Sequence, residues 1–387
     1  ERYEGERKDK SQEDYSKMDL DFFNGYGGFD KSDGTYVISL SNYKNTPAPW
    51  INVMSNSDFG FHISETGSSY TWCGNSRENK ITPWSNDYIR DPLGEALYIR
   101  DDKGGRYFSI SPEPVRDENE YIIKHGFGYS QFMHTAYGIK GEMKVFAPRN
   151  EKVKLQIVRL KNLINEERDI SIFYYAQLVL GVYGYESERY ISTYFKEDTN
   201  NTVDKNIDRQ KGNVDYSSDY NDDIKSDDNC YVDYIGGNNP YSEFFGDLHA
   251  YLTILGGDNL TVCGDTKEFI GCGRDVSTPN ALNHDRLSNR TGSIYDPCLS
   301  ACSSIKLKAH ETKEILIVFG QDTEENIAGM ISKYRNMENA HAALENVKEY
   351  WHDFLGNIQV STPDKSMNYM LNGWLLYQTL SCRYLSR

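Results

Sequence analysis

Nowhere in its 387 residues does the chain hold the long apolar run that a membrane-crossing helix requires, about 18 residues at the least. Its opening, ERYEGERKDK, has no apolar core of the kind a secretory leader needs. It also lacks an initiating methionine, so the start is expected upstream. Positive charge is scarce: 42 Lys and Arg face 58 Asp and Glu, a net charge of −16. That balance argues against a phosphate-tracking nucleic-acid surface and against adhesion to an anionic membrane. It leaves a neutral ligand, such as a sugar, untouched. Cysteine is sparse and odd in number, with 7 residues (Cys73, Cys230, Cys263, Cys272, Cys298, Cys302 and Cys382) and no paired CxxC spacing. Free thiols in a cytoplasmic protein are the expected state. Cys298 and Cys302 have no His or second Cys pair at matching spacing, so no metal site is expected there.

What the chain does hold is aromatic and turn-forming residues. Aromatics make up 13%, with 30 Tyr, and there are 31 Gly. The length exceeds that of most single domains and fits one large β domain plus a piece of a second. Short runs bounded by Gly, Pro, Asn or Asp read as strands from Thr35 to Phe319: Tyr36–Ser39, Trp50–Met54, Phe59–Ser64, Tyr70–Cys73, Ala96–Arg100, Tyr121–His125, Glu142–Ala147, His249–Leu255, Ile305–Leu307 and Glu314–Phe319. Val153, Leu155 and Ile157 alternate with Lys154 and Gln156, and Val158 and Leu160 continue on the opposite parity. That switch predicts a bulge or a strand changing sheets. Ile170, Ile172 and Tyr174 open a long strand running to Val182. Many strands without alternating helices predict an antiparallel sandwich. Residues 198–230, rich in Asp, Asn, Ser and Lys, read as a polar excursion; their carboxylates do not match an EF-hand calcium loop.

The period changes at Asp322, which with Glu325 resembles a helix-capping pair. Ala340, Ala343, Leu344, Val347, Trp351, Phe354 and Leu355 recur at helical spacing, and Gly356 is a stop. Asp364 caps a further helix whose stripe is Met367, Met370, Leu371, Trp374 and Leu375. A stripe needs a partner surface, so the pattern up to Arg387 is expected to be the opening of a domain cut short.

Between Asn45 and Asp91 three tryptophans (Trp50, Trp72, Trp84) stand beside Arg77, Glu78 and Asn79. Ring faces with planar amide, guanidinium and carboxylate groups suit sugar recognition. The alternative is that the tryptophans fill a large core and that Arg77 and Glu78 form a buried network fixing the loop. Gly25, Gly27 and Gly28 do not meet the GxGxxG spacing and read as tight turns. His62, His125, His134 and His249 lie in strand-like runs and read as packed or surface residues, and no Ser-His-Asp set can be assembled from spacing. The tyrosine-rich run Tyr183–Tyr194 reads either as a stacking wall for glucan or as aromatic sheet pairing.

Taken in order, FFNGYGGF (Phe22–Phe29), TPAPWINV (Thr46–Val53), YTWCGNSRENKITPWSND (Tyr70–Asp87), NPYSEFFGD (Asn239–Asp247), GDTKEFIG (Gly264–Gly271), YDPC (Tyr295–Cys298) and NGWLLYQTLSCRYLSR (Asn372–Arg387) resemble the N-terminal region of the cellobiose phosphorylase family of inverting glycoside phosphorylases, glycoside hydrolase family ninety-four. The closer likeness is to 1,2-β-oligoglucan phosphorylases and the phosphorylase-like end of cyclic β-1,2-glucan synthases. The resemblance implies a mainly β chain: a large antiparallel β-sandwich (a supersandwich) over 1–321, a helical linker over 322–360, and over 361–387 the first helix of a truncated (α/α)6 catalytic barrel. It implies phosphorolysis or synthesis of β-glucosides with inversion, with inorganic phosphate or α-glucose 1-phosphate as substrate and no cofactor or metal. The partner implied is a β-glucan oligosaccharide, and the sandwich is expected to take part in a homodimer.

The family's catalytic aspartate is expected beyond Arg387, so no catalytic residue is assigned here and this chain alone is expected to be inactive. Arg387 falls where the family places a phosphate-contacting arginine; the plainer reading is a solvent-facing helix end, and plainer still for Arg383. Arg77, Glu78, Asn79 and Trp84 are the candidate substrate-binding residues. Competing readings are a stand-alone carbohydrate-binding sandwich and a purely structural or dimerising role.

Overall fold

The computed structural model describes residues 19–197 and 232–386. The polar excursion at 198–230, Cys230 and Arg387 lie outside the described residues. The chain is mainly β. An eleven-stranded antiparallel sheet runs from Leu20–Asp21 at one edge to Ser192–Lys196 at the other. A five-stranded sheet, built around Arg168–Gln177 and Pro297–Leu307, and a three-stranded sheet, Ile51–Ser55, Phe59–Ser64 and Ser69–Cys73, accompany it.

The long central strand Val153–Asn162 corrects one sequence expectation. It pairs without a register break with both Ile139–Phe146 and Thr312–Thr323, so no bulge accounts for its change of parity. The reason is that both of its faces are covered. Val158 and Leu160 enter the core shared by the sheets, with Ile170, Ile172 and Leu307. Val153, Leu155 and Ile157 face the opposite way and join Ile327, Ile331, Leu344 and Trp351 of the helices beyond the last strand. A strand buried on both faces loses strict alternation.

The strand Tyr129–Ala136 is absent from the sequence reading. It forms a hairpin with Ile139–Phe146 across Tyr137 and Gly138, whose φ values of 53° and 76° are those of a primed turn. Its inward positions include Ser130 and His134, which hid the period. His134 is held by the Glu120 carbonyl and Asp117 and stacks on Tyr121 at 3.7 Å.

His125 Nδ1 lies 2.8 Å from Ser130 Oγ, while its Nε2 meets no partner among the described residues. Burial pushes the His125 pKa from 6.5 down to about 4, against a smaller upward pull from the Trp50 backbone. Between those values the unfolded chain binds a proton that the folded chain refuses. Stability is therefore unaffected above pH 6.5 and falls as the pH drops from 6.5 toward 4. The loss from this group is about 3 kcal/mol. Chemical unfolding across this window should show that decline, and His125→Gln should flatten it; an unchanged slope would remove His125 as its source. His62, pushed to about 4 chiefly by burial, adds to the same slope.

Beyond the last strand come the helices Glu324–Tyr334 and Met337–Gly356. Thr323, rather than Asp322, is the N-cap of the first; the Asp322 carboxylate instead accepts from Thr323 N and Asn326 Nδ2. The expected stripe is buried at Ala340, Leu344, Val347, Trp351 and Leu355. Asp364 caps the next helix by accepting from Ser366 N. Residues 365–385 then alternate α-helical segments with π-helical turns at Met370–Trp374 and Leu380–Leu385. Of its predicted stripe only Trp374 is buried, and Met367, Met370, Leu371 and Leu375 are exposed. Trp374 Nε1 donates to Gly34 O at 2.9 Å, and Tyr369 stacks on Phe29 at 4.6 Å. Among the described residues no helix is long and apolar enough to cross a membrane.

Candidate functional site

The segment from Gly74 to Asp91 leaves the three-stranded sheet after Cys73 and is shaped by its own amides. Asn75 Oδ1 accepts from Arg77 N and Glu78 N, both at 2.9 Å, an Asx turn that projects the next side chains outward. Arg77 and Glu78 pair at 3.4 Å with side chains 82% and 50% exposed. The buried Arg77–Glu78 network is thus not what forms; the pair stands in solvent, where such contacts stabilise little.

Asn79 behaves in the opposite way. It is buried, and its Nδ2 donates to Cys73 O at 2.9 Å and Gln321 Oε1 at 2.8 Å. A carboxamide so committed is not free to bind a sugar hydroxyl, so Asn79 anchors the loop rather than contacting substrate. The run ENK in the sequence does not reveal this, because the anchoring Gln321 lies far along the chain.

The tryptophans divide. Trp72 is buried beside Gly60 and Trp50 packs edge-on against Tyr26 and Tyr36, so core filling accounts for both. Trp84 is half exposed, stacked on Tyr70 at 5.6 Å and edge-on to His62. It therefore presents ring surface to solvent near the Arg77 loop, whose Ser76 carbonyl accepts from Tyr70 OH. Ser76 Oγ donates to Ser386 O at 3.4 Å. The loop is thereby joined to the end of the last described helix, one residue before Arg387. Arg77, Glu78 and Trp84 share this edge.

Two neighbouring segments extend it. Lys80 pairs with Gly181, and its Nζ donates to Val182 O at 3.0 Å. Phe245 packs against Gly74. The tyrosine run divides as the tryptophans do: Tyr194 pairs in the edge strand, whereas Tyr183, Tyr185 and Tyr190 lie on short helical turns outside any sheet and are exposed.

A polar cluster that the spacing did not reveal lies inside the sandwich. Glu95 accepts from Lys154 Nζ, Tyr174 OH and Thr71 Oγ1, each at 2.6 Å, and from Thr82 Oγ1 at 2.9 Å. Burial raises the Glu95 pKa, but the Lys154 ammonium and these donors outweigh it and hold the carboxyl below its usual range. Sealed from solvent and kept ionised, Glu95 is no general acid. Lys154 and Gln156 gave the only signal, as polar residues inside an apolar strand. Gly25, at φ 94°, turns the chain toward the strand Gly27–Asp30 of the first sheet, and Gly27 N donates to Asn24 Oδ1 at 3.1 Å. Cys298 and Cys302 are buried with Tyr98, Phe173 and Phe269. Among the described residues no group of three or more His, Cys, Asp or Glu is placed to hold a metal ion.

Residues 34–219 and 224–337 match the glycosyl hydrolase 94 supersandwich domain. Residues 350–387 match the glycosyl hydrolase 94 superfamily catalytic domain. The chain is 29% identical to the cyclic beta-(1,2)-glucan synthase NdvB of Rhizobium meliloti (strain 1021), over 95% of this chain and 12% of that protein. It is 26% identical to the N,N'-diacetylchitobiose phosphorylase of Vibrio furnissii, over 94% of this chain and 41% of that protein. It thus spans well under half the length of either. Among solved structures, a bacterial glucoamylase complexed with acarbose aligns over 82% of this chain and 41% of its own, with 8% identity and a TM-score of 0.43. With the supersandwich model covering most of the sequence and the catalytic model following it in order, the chain belongs to the glycosyl hydrolase 94 family.

Proposed function

We propose that this chain is the non-catalytic N-terminal part of an inverting enzyme that phosphorolyses or synthesises β-glucosides, with β-1,2-linked glucan oligosaccharides as substrate. The observation that carries the reading is the ordered pair of domain matches, supersandwich and then catalytic region. The relatives named above, a β-1,2-glucan synthase and a disaccharide phosphorylase, support it. In such a reaction a carboxylic acid protonates the glycosidic oxygen while phosphate attacks the anomeric carbon from the opposite face. Phosphate is already nucleophilic, so the second carboxylate that activates water in an inverting hydrolase is not required. A cationic, hydroxyl-lined cradle takes its place, and Arg387 is the proposed guanidinium in it. Arg77, Glu78 and Trp84 are proposed to edge the sugar cleft from the sandwich side, of the same or a partner subunit. No cofactor enters, and the site of action is the cytoplasm.

The protein containing this chain, given inorganic phosphate and linear β-1,2-gluco-oligosaccharides, is expected to release α-glucose 1-phosphate, identified by the anomeric proton signal. Release of the β anomer, or of glucose independently of phosphate, would overturn the reading. Arg387→Ala should raise the KM for phosphate more than that for sugar; unchanged phosphate affinity would remove Arg387 from the cradle.

A further inference from the structure

The segment 183–190 and its two neighbours form an aromatic surface that no part of the described fold covers. Tyr183, Tyr185, Tyr190, Tyr241, Phe244 and Tyr295 each keep between 44% and 80% of their surface in solvent. They are not scattered. Tyr183 stacks on Tyr185 at 5.5 Å, and Tyr190 lies 5.0 Å from Tyr241. Phe244 shares a loop with Tyr241, and Tyr295 lies within electrostatic reach of Glu188 on the central segment. Exposed rings paired on neighbouring segments in this way point to a binding surface rather than ordinary surface apolarity.

We propose that this surface is a docking site for a neutral oligosaccharide chain, held by ring stacking on the sandwich outside the catalytic region. It rests on the reading of the parent enzyme as one that acts on β-glucosides. The rings are bordered by charges of both signs. Lys80, Arg189 and Lys267 lie over Tyr183, Tyr190 and Tyr295, and Glu186, Glu188, Glu243 and Asp247 adjoin the rings along the sequence. A mixed rim gives no field for a polyanion or polycation, whereas a polyhydroxyl chain finds donors and acceptors beside every ring face. The surface is also continuous with the candidate site, since Phe245 packs on Gly74 at the root of the Arg77 loop and Ser76 touches Ser386. A glucan lying across the tyrosines would thus run toward the catalytic region, and holding the chain there raises the local concentration of its end.

The test is titration of the 387-residue chain with a linear β-1,2-gluco-oligosaccharide and with glucose, followed by calorimetry. The oligosaccharide should bind and glucose should not. Tyr185→Ala and Tyr241→Ala should each weaken binding about tenfold while leaving the unfolding midpoint unchanged, because both rings are exposed. Equal affinity in both variants would overturn the proposal, as would a concentration-dependent dimer that the variants dissolve, which would make a second copy the occupant. If the parent enzyme turns over β-glucosides and the chain binds no oligosaccharide, the docking site alone falls. If the chain binds in a tyrosine-dependent way and the parent does not act on β-glucosides, the proposed function falls and the surface stands.

Discussion

Lys154→Met should cost about 3–5 kcal/mol of stability, the loss expected when one partner of a buried ion pair is removed. The ammonium sits in the sandwich core, fully buried, 2.6 Å from Glu95 and 2.6 Å from Ser69 Oγ, and over the Phe61 ring. Without it the carboxylate keeps its hydroxyl donors but loses the cation that, among the described residues, offsets its burial. Protonation of Glu95 is then the cheapest relief. A second signature follows from this. In the wild type the depressed Glu95 pKa contributes stability that is present above the ordinary carboxylate range and is lost as pH falls through the folded value. In Lys154→Met burial instead raises the Glu95 pKa, so the variant's deficit should be largest near neutral pH and shrink as the pH falls and the carboxyl takes up a proton. Replacing both partners with apolar residues, Glu95→Leu with Lys154→Met, should recover part of the loss, because an uncompensated charge costs more than an absent pair. Urea unfolding of the three proteins between neutral and acid pH decides it. A Lys154→Met variant as stable as wild type at neutral pH would mean that water reaches the pair.

Trp351→Ala should cost a similar amount, about 3–5 kcal/mol, and should also loosen the C-terminal helix. The indole is buried between the first sheet and the helices and meets Tyr377 edge-on at 4.7 Å. It lies so close over Gly128, at φ 82°, that a Cβ there would come within 2.5 Å of the ring. Tyr377 in turn has its hydroxyl 2.9 Å from Asn52 Oδ1 and 2.8 Å from Val53 O, and it accepts from Gly128 N at 3.1 Å. Trp351 thus backs the residue that fastens residues 365–385 to the sandwich. Removing it should leave the sheets folded but raise amide exchange and protease cleavage in that helix before global unfolding. A uniform loss of stability without selective exposure of the helix would mean that Trp351 serves only the core.

The elements with a clean local period were legible without coordinates. Phe59–Ser64 and Tyr121–His125 occur as expected; the stripe from Ala340 to Leu355 is buried, and Asp364 caps its helix. Each depends on neighbours within a turn or a strand. Elements that failed this test depend on distant partners. Tyr129–Ala136 was hidden because Ser130 and His134 face inward, satisfied by His125 and Asp117. Lys154 looked merely like the polar member of an alternating strand until Glu95 came within reach from another sheet.

The same division separates the candidate residues. The sequence left Arg77 and Glu78 open between a sugar-facing pair and a buried network, and the Asx turn at Asn75, seen only in the structure, stands them outward. That Asn79 is an anchor, that Trp72 is core while Trp84 is open, and that Tyr183, Tyr185 and Tyr190 leave the sheet that Tyr194 joins were decided by long-range packing. Local sequence carries backbone propensity and the order of family motifs. Which aromatic ring keeps a face for a ligand depends on what the rest of the chain places above it, and only the tertiary structure supplies that.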